Sequence, residues 1–522
     1  MPGDALRLLV PEIILVAAAV VIYVSGAFVN ARALWGWTAL AALAAAAVAM
    51  LGTSLSPGGT GPVAADHLAI YTRWLTLAAG AVLTLVALRP LETAGHAEYV
   101  GSLLLAIAGT MLVAAADELV LLFLGLELIS IPTYIMLYLG RRDAASQEAA
   151  AKYFFLSILS SAMLLYGFSF LYGAAGTTDL EVVRQRLADG QDSTAAVYLA
   201  RVALVFVFAG LGFRITAVPF HFYAPDVYQG TTHANAGFLS VLPKIAGVLA
   251  LVRIVAISME DIGPYPWRVA AALALVTMTL GNVVALWQNN IRRLLAYSSI
   301  AHAGYMLIGL AVYLASPVAN QFFDGVAAVL LYLLVYAIAT LGAFSALSCL
   351  GRGDRQVDSI DELAGLAWSG GAVRPALAWA LAIFMFSLAG LPPLAGFWGK
   401  LAIFGSALMV HTVRDGVPLW FWMLALIGVL NAAVSAAYYL RVIGTMFFRP
   451  LSDAPARPAE TGGALVATVL CAILAVGIGL SGWNWLPLAD RASPRQVRAT
   501  PATAAAAPMA DIGPLVAAEG PH

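Results

Sequence analysis

Residues 209–226 read AGLGFRITAVPFHFYAPD, an apolar stretch that holds one arginine and is interrupted by Pro219 and Pro225. Residues 389–400, AGLPPLAGFWGK, repeat the theme, with Gly390, Pro392, Pro393, Gly396 and Gly399 ahead of a lysine. Proline removes a backbone donor and clashes with the preceding turn, so each stretch predicts a helix broken near a basic side chain. Irregular backbone at membrane depth survives only where protein buries it or where it lines a wet cavity. Two such breaks, five spans apart, are what an internal transporter repeat produces. They set the fold reading: an all-α integral membrane protein with two related halves.

The rest of the chain agrees. Hydrophobic residues make up 62% of the 522 and charged residues 11%, with a mean hydropathy of +0.89. The useful unit is therefore a span of about 20 apolar residues. Fourteen transmembrane helices are expected, at about 5–28, 34–53, 66–88, 99–116, 118–139, 146–172, 198–220, 233–257, 267–287, 291–314, 322–349, 375–411, 418–447 and 463–482. The first reads as a span and not a cleaved leader, because Pro11-Glu12 interrupts it and many spans follow.

Spans 4–8 and 9–13 read as two five-helix repeats, about 99–257 and 267–447, each with one broken helix. An odd number of spans per unit makes the repeats inverted. Around this core, 1–98 supplies three N-terminal spans, 448–485 the last span, and 486–522 an Ala/Pro-rich tail expected to be disordered. Between spans 6 and 7, Thr177-Thr178-Asp179 offers a cap to LEVVRQRLA, a short interfacial helix.

Arginines gather on alternate loops: Arg32, Arg89, Arg141, Arg142, Arg292, Arg293, Arg352, Arg355, Arg374, Arg449 and Arg457. The excess of positive charge puts that side in the cytoplasm and both termini outside. Composition also narrows the function. A net charge of −1 gives no basic surface for nucleic acid. Cys349 and Cys471 lie far apart in apolar runs without CxxC spacing, which argues against a metal or iron–sulfur site. There is no GxGxxG, and Gly399-Lys400 is followed by Leu401 in an apolar run, so no nucleotide-binding loop is expected.

Only three of the 27 basic residues are lysine: Lys152, Lys244 and Lys400, all inside apolar stretches. Arginine keeps its proton at any accessible pH, whereas a buried lysine can give its proton up. Three removable protons in a membrane point to proton handling. Glu127, mid-span in LLFLGLELISIPTY, is out of reach of any loop and reads as functional. Lys152 is near the start of its span, where it either snorkels, pairs with Glu148 one turn back, or joins the buried row. Arg214 stands at the first break as a fixed counter-charge or a proton carrier. His221 and His302, each taken alone, read first as satisfied core histidines. Taken together, one acid, three lysines, an arginine and two histidines form a polar row that packing alone does not explain.

Several segments resemble the antiporter-like membrane subunits of NADH:quinone oxidoreductase, respiratory complex I. They are Leu9-Val10-Pro11-Glu12-Ile13, FLGLELISIPTYIM, AAKYFFL, GTTDL, GLGFRITAVPFHFYAPDVYQGT, LLAYSSIAHAGYMLIG and SLAGLPPLAGFWGK, spread over about residues 8–445. The resemblance implies a proton-translocating subunit of a translocase with no redox centre of its own. FMN, iron–sulfur clusters and quinone are then expected in partner subunits, and no cofactor in this chain. It also implies a multi-pass place in a bacterial inner membrane, beside other membrane-arm subunits and lipid.

In that family a glutamate in span 5 and lysines in spans 6, 7, 8 and 12 form a charged axis with histidines between. By resemblance these positions are Glu127, Lys152, Arg214, Lys244 and Lys400, with His221 and His302. Arginine at 214 departs from the family's lysine. The implied mechanism is electrostatic: a charge change alters a Glu127–Arg214 pair, Lys244 responds, and the proton passes by His302 to Lys400. A cation/proton antiporter subunit of the multi-subunit sodium/proton type shares this core and is the alternative.

Overall fold

A computed structural model describes residues 6–494, apart from 30–31, 54, 56–60, 89–94, 142, 191–193, 261, 317–323, 353–354, 411–416, 452–455 and 459–461. The helices in chain order are α1 (Val10–Gly26), α2 (Arg32–Leu51), α3 (His67–Ala87), α4 (His96–Ala115), α5 (Leu119–Gly140) and α6 (Ala144–Ala175). After the short α7 (Leu180–Asp189) come α8 (Thr194–Ile215), α9 (Ala224–Gly230), α10 (His233–Leu251), α11 (Tyr265–Ala285) and α12 (Ile291–Ala315). The last are α13 (Gly325–Ser348), α14 (Val373–Ala389), α15 (Ala395–Leu408), α16 (Val417–Phe448), α17 (Gly462–Leu480) and α18 (Leu486–Arg491). Among the described residues twelve helices are long and apolar enough to cross a membrane, or thirteen if α14 and the segment Ile360–Trp368 before it, bent by 116° from one another, count as one span. The apolar α1 is shorter, at 17 residues.

Local chemistry sets where these helices begin. Asp66, Asp143, Asp179, Thr232, Asn290 and Asp324 each accept a hydrogen bond from a first-turn amide of α3, α6, α7, α10, α12 and α13. Such caps satisfy donors that a helix start leaves unpaired. The expected short helix over LEVVRQRLA is α7, capped by Asp179 as its sequence requires.

The centre of the protein is α10, α12 and α13, whose apolar windows are buried almost completely, while α6 and α16 leave most of theirs on the outside. Close packing depends on small residues. A Cβ on Gly304 of α12 would fall 2.5 Å from the Met278 backbone nitrogen, and one on Gly281 of α11 would fall 2.7 Å from that of Ala301. Those glycines let α11 and α12 touch backbone to backbone. Outside the helices, Leu350–Arg352, Arg355–Gln356 and Arg457–Pro458 pair antiparallel as β1, β2 and β3 in the order β2-β1-β3.

Both expected breaks are present. The first lies between Ile215 and Ala224, with Thr216 at φ 62°, and the second between Ala389 and Ala395, with Gly390 at φ 87°. Two sequence expectations need correction. Pro225 does not interrupt a helix; it sits in the first turn of α9, where its missing N–H costs nothing. The expected disordered tail at 486–522 also starts too early. Leu486–Arg491 is helical, Ala489 and Ala492 are buried, and Ser493 Oγ donates to the Asp324 carboxylate at 2.5 Å. The apolar Trp485-Leu486 pair gives this piece something to bury. The remainder of the tail, 495–522, lies outside the described residues.

Candidate functional site

Arg214 occupies the last turn of α8, immediately before the first break. A cation there is favoured by the partial negative charge of a helix C-terminus. Its Nη2 donates to Glu127 Oε1 at 3.0 Å and to Ser161 Oγ at 3.3 Å. Its Nη1 donates to Leu126 O at 3.1 Å and to Ser130 Oγ at 2.8 Å. Ser161 Oγ in turn donates to Glu127 Oε1 at 2.5 Å. Three helices, α5, α6 and α8, therefore meet around one ion pair. Arg214 is 4% exposed, whereas the Glu127 side chain is 24% exposed, so the pair has a closed cationic side and a partly open anionic side.

Lys244 lies in the middle of α10, just after Pro243, and is 1% exposed. Its Nζ donates to Ser299 O and, at 2.6 Å, to Ser299 Oγ on α12. The Tyr336 ring of α13 stands 5.1 Å away, and the Tyr336 hydroxyl donates to Ser299 Oγ at 2.8 Å. One turn further along α12, His302 Nδ1 shares a hydrogen bond with Tyr332 OH at 2.6 Å and Nε2 with Tyr439 OH at 3.1 Å. A neutral imidazole has one donor and one acceptor, so one tyrosine donates and the other accepts.

Lys400 is buried on α15, past the second break, and its Nζ donates to Ala389 O at 2.7 Å. Ala389 is the last residue of α14, so the break exposes a helix-terminal carbonyl for the cation. The Tyr305 ring lies 5.4 Å from the same amine. Gly390 makes this close approach possible: a Cβ there would fall 2.6 Å from Lys400 Cδ. A small cavity between His302, Tyr332, Tyr336, Ser387 and Lys400 has room for about one water molecule. Among the described residues no carboxylate is within ion-pair distance of Lys244 or Lys400.

The remaining two candidates sit apart. Lys152 is not part of this interior; its amine reaches Glu148 at 2.7 Å and Asp226 at 2.8 Å, with 40% of its side chain exposed. Pairing one turn back, one of the readings open from sequence, is thus present together with a second partner. His221 lies in the irregular segment of the first break, with Nδ1 buried and without a hydrogen-bond partner.

Sequence reading missed the hydroxyls, Ser130, Ser161, Ser299, Tyr332, Tyr336 and Tyr439. A signal was present for some of them. Ser298, Ser299, His302 and Tyr305 recur at helical spacing on one face of α12, and Tyr332 and Tyr336 do so on α13.

Residues 116–435 match the family model described as NADH:quinone oxidoreductase/Mrp antiporter, transmembrane. The range holds every residue placed above except Tyr439, and most of the chain. The chain therefore belongs to the antiporter-like family of membrane subunits built on this domain. Within that family the chain is similar to subunit N of NADH-quinone oxidoreductase. NADH-quinone oxidoreductase subunit N of Rhizorhabdus wittichii is 39% identical over 502 residues, which are 94% of this chain and 97% of the relative. A chain of respiratory complex I from Thermus thermophilus superposes with a TM-score of 0.74 at 31% identity, covering 91% of this chain and 98% of that one. A chain of the Mrp complex from a Dietzia species has a TM-score of 0.76 at 21% identity over 96% and 98% of the two chains, a likeness of fold alone.

Proposed function

We propose that this chain is a proton-translocating membrane subunit of a bacterial NADH:quinone oxidoreductase, in the place that subunit N takes in its relatives. It works beside other membrane-arm subunits, while electrons pass from NADH to quinone through FMN and iron–sulfur clusters in partner subunits. The single observation that carries the reading is the contrast along the row: the Glu127–Arg214 ion pair at one end, and two buried lysines that, among the described residues, have no carboxylate beside them. A buried lysine that only backbone and hydroxyl oxygens hold is easily discharged, because nothing but those dipoles supports its charge.

In the mechanism, a charge change in a neighbouring subunit acts on the partly exposed Glu127. Arg214 keeps its proton and shifts between Glu127 and the carbonyl and hydroxyls around it. Weakening that pair changes the field at Lys244, which loses its proton toward His302. The imidazole takes the proton on one nitrogen and releases one from the other, and Lys400 receives it for discharge outside. Lys152, paired at the surface with Glu148 and Asp226, stands at the inner rim of the path, and His221 lies between Arg214 and Asp226 along the chain.

The same proposal includes fourteen transmembrane helices, counting α1 and the α14–α15 pair as one span each. Repeats of about 99–257 and 267–447 are inverted relative to one another, and both termini lie outside. The likeness to the Mrp chain keeps a cation/proton antiporter subunit as the alternative reading. The test is to reconstitute the purified complex carrying Lys400→Met into vesicles and follow acidification during NADH oxidation. Loss of pumping with the complex intact supports the reading. Pumping at the normal rate, or pumping that requires sodium, overturns it.

A further inference from the structure

The hydrogen bonds around the two buried lysines fall into separate groups. Lys244, Ser299, Tyr336 and the Ser240 carbonyl form one, the last accepting from Tyr336 OH at 3.3 Å. His302, Tyr332, Tyr439 and Ser298 form another. Between them stands the ring of Tyr336. Its centroid is 5.1 Å from the Lys244 amine and 5.1 Å from the His302 ring, at an interplanar angle of 47° to the latter. Beyond it lies the small cavity that Tyr336 shares with His302 and Lys400.

An aromatic carbon face neither donates nor accepts protons, so the ring separates the hydrogen-bond group of Lys244 from that of His302 and from the cavity beside Lys400. The hydroxyl that pins the ring is bound to Ser299, the residue that also holds Lys244. A change at the Lys244 amine therefore reaches the anchor of the ring directly.

We propose that Tyr336 is a gate between Lys244 and Lys400, a positioning residue whose ring keeps the two halves of the path disconnected until its hydroxyl leaves Ser299. With Lys244 charged, the amine and Tyr336 both donate to Ser299 Oγ and the ring is held across the gap. Transfer begins when the ring tilts and one water occupies its place. Lys244 gives a proton to that water, the water gives one to His302, and Lys400 takes the proton that His302 releases from its other nitrogen. One proton leaves the first amine and one arrives at the second. A closed ring also blocks the reverse passage, which would otherwise short-circuit the pump.

The inference rests on the role proposed for the two lysines, and its test separates the two. The intact complex is reconstituted with Tyr336→Phe, Tyr336→Leu and Tyr336→Ser, alongside Lys244→Met and Lys400→Met. Quinone reduction and vesicle acidification are measured with and without an uncoupler. A gate predicts that Phe, which keeps the ring, pumps severalfold better than Ser. Ser is expected to retain quinone reduction, lose most acidification, and lose its stimulation by uncoupler because protons run back. Leu, which keeps bulk and assembles if Ser does not, should fall between them. Equal losses in Phe and Ser would overturn the gate and make the hydroxyl itself the relay. Full pumping and normal uncoupler response in Ser and Leu would also overturn it. If instead both lysine variants pump normally, the failure belongs to the function proposed for the axis.

Discussion

The two halves of the interior handle positive charge in opposite ways. On the α5–α6–α8 side an arginine is matched by a carboxylate at 3.0 Å and by two serine hydroxyls. On the α10–α12–α15 side two lysines rest on backbone carbonyls, and their neighbours are tyrosines. A permanent charge must be neutralised to be buried at all, whereas a removable one can be buried on dipoles, because it can leave. The comparison teaches that buried cations of one chain can rest on quite different partners, a carboxylate for the arginine and dipoles for the lysines.

The largest test of the comparison is Lys400→Met. It preserves length and apolarity and removes the titrating amine, so acidification should fall by about 10²-fold or more while the complex still assembles. Vesicle acidification checks this. Lys244→Arg comes next: it preserves charge, yet proton transfer should drop nearly as far, since guanidinium does not release its proton. Pumping by that variant would erase the distinction between the two regions.

Smaller effects are expected on the paired side. Arg214→Met leaves Glu127 without its counter-charge, a cost of about 3 kcal/mol since Glu127 is partly exposed and keeps Ser161. Turnover should fall, though less than acidification does in the lysine variants, and the complex should dissociate at lower detergent concentration or temperature. Arg214→Lys should keep a substantial part of the activity, because charge is what that position supplies. Glu127→Gln should slow turnover more than Glu127→Asp; equal behaviour would assign the side chain to packing. The smallest effect is predicted for Lys152→Met, because the Lys152 side chain is 40% exposed and gains little from its surface pairs. Its activity should change by less than a factor of about three, read as the initial rate of quinone reduction.

Much of this was legible in the sequence, and the reasons differ by element. The breaks were readable because proline and glycine act locally at 219, 390, 392 and 393. The Glu127–Arg214 pair followed from the family resemblance, since the residues alone left Arg214 either a fixed counter-charge or a proton carrier. Lys152 was ambiguous for a physical reason: a lysine two turns into a helix reaches past its own start, and its second partner, Asp226, is 74 positions away. The tyrosines around His302 were hidden because an aromatic in an apolar helix looks like packing. Only the meeting of α12, α13 and α16 gives their hydroxyls partners. The buried pairs Glu12–Arg73, at 2.7 Å, and Asp66–Arg253, at 2.9 Å, were likewise out of view, since each joins helices far apart in sequence.

Asp226 has a mechanical consequence. One of its oxygens holds Lys152 of α6 at 2.8 Å, and the other holds Arg293 of α12 at 2.6 Å. The neighbouring Arg292 donates to the Thr231 carbonyl just past the end of α9. The short helix beyond the first break is thus moored at both ends to two different helices, while the segment before it, from Thr216 to Tyr223, lacks a regular helical ladder. A rope fixed at its far end and slack near its load turns a push at Arg214 into slack taken up locally, with no shift of the rim around Asp226. The charge can be nudged back and forth there without the protein's edge having to come apart from whatever it is bolted to.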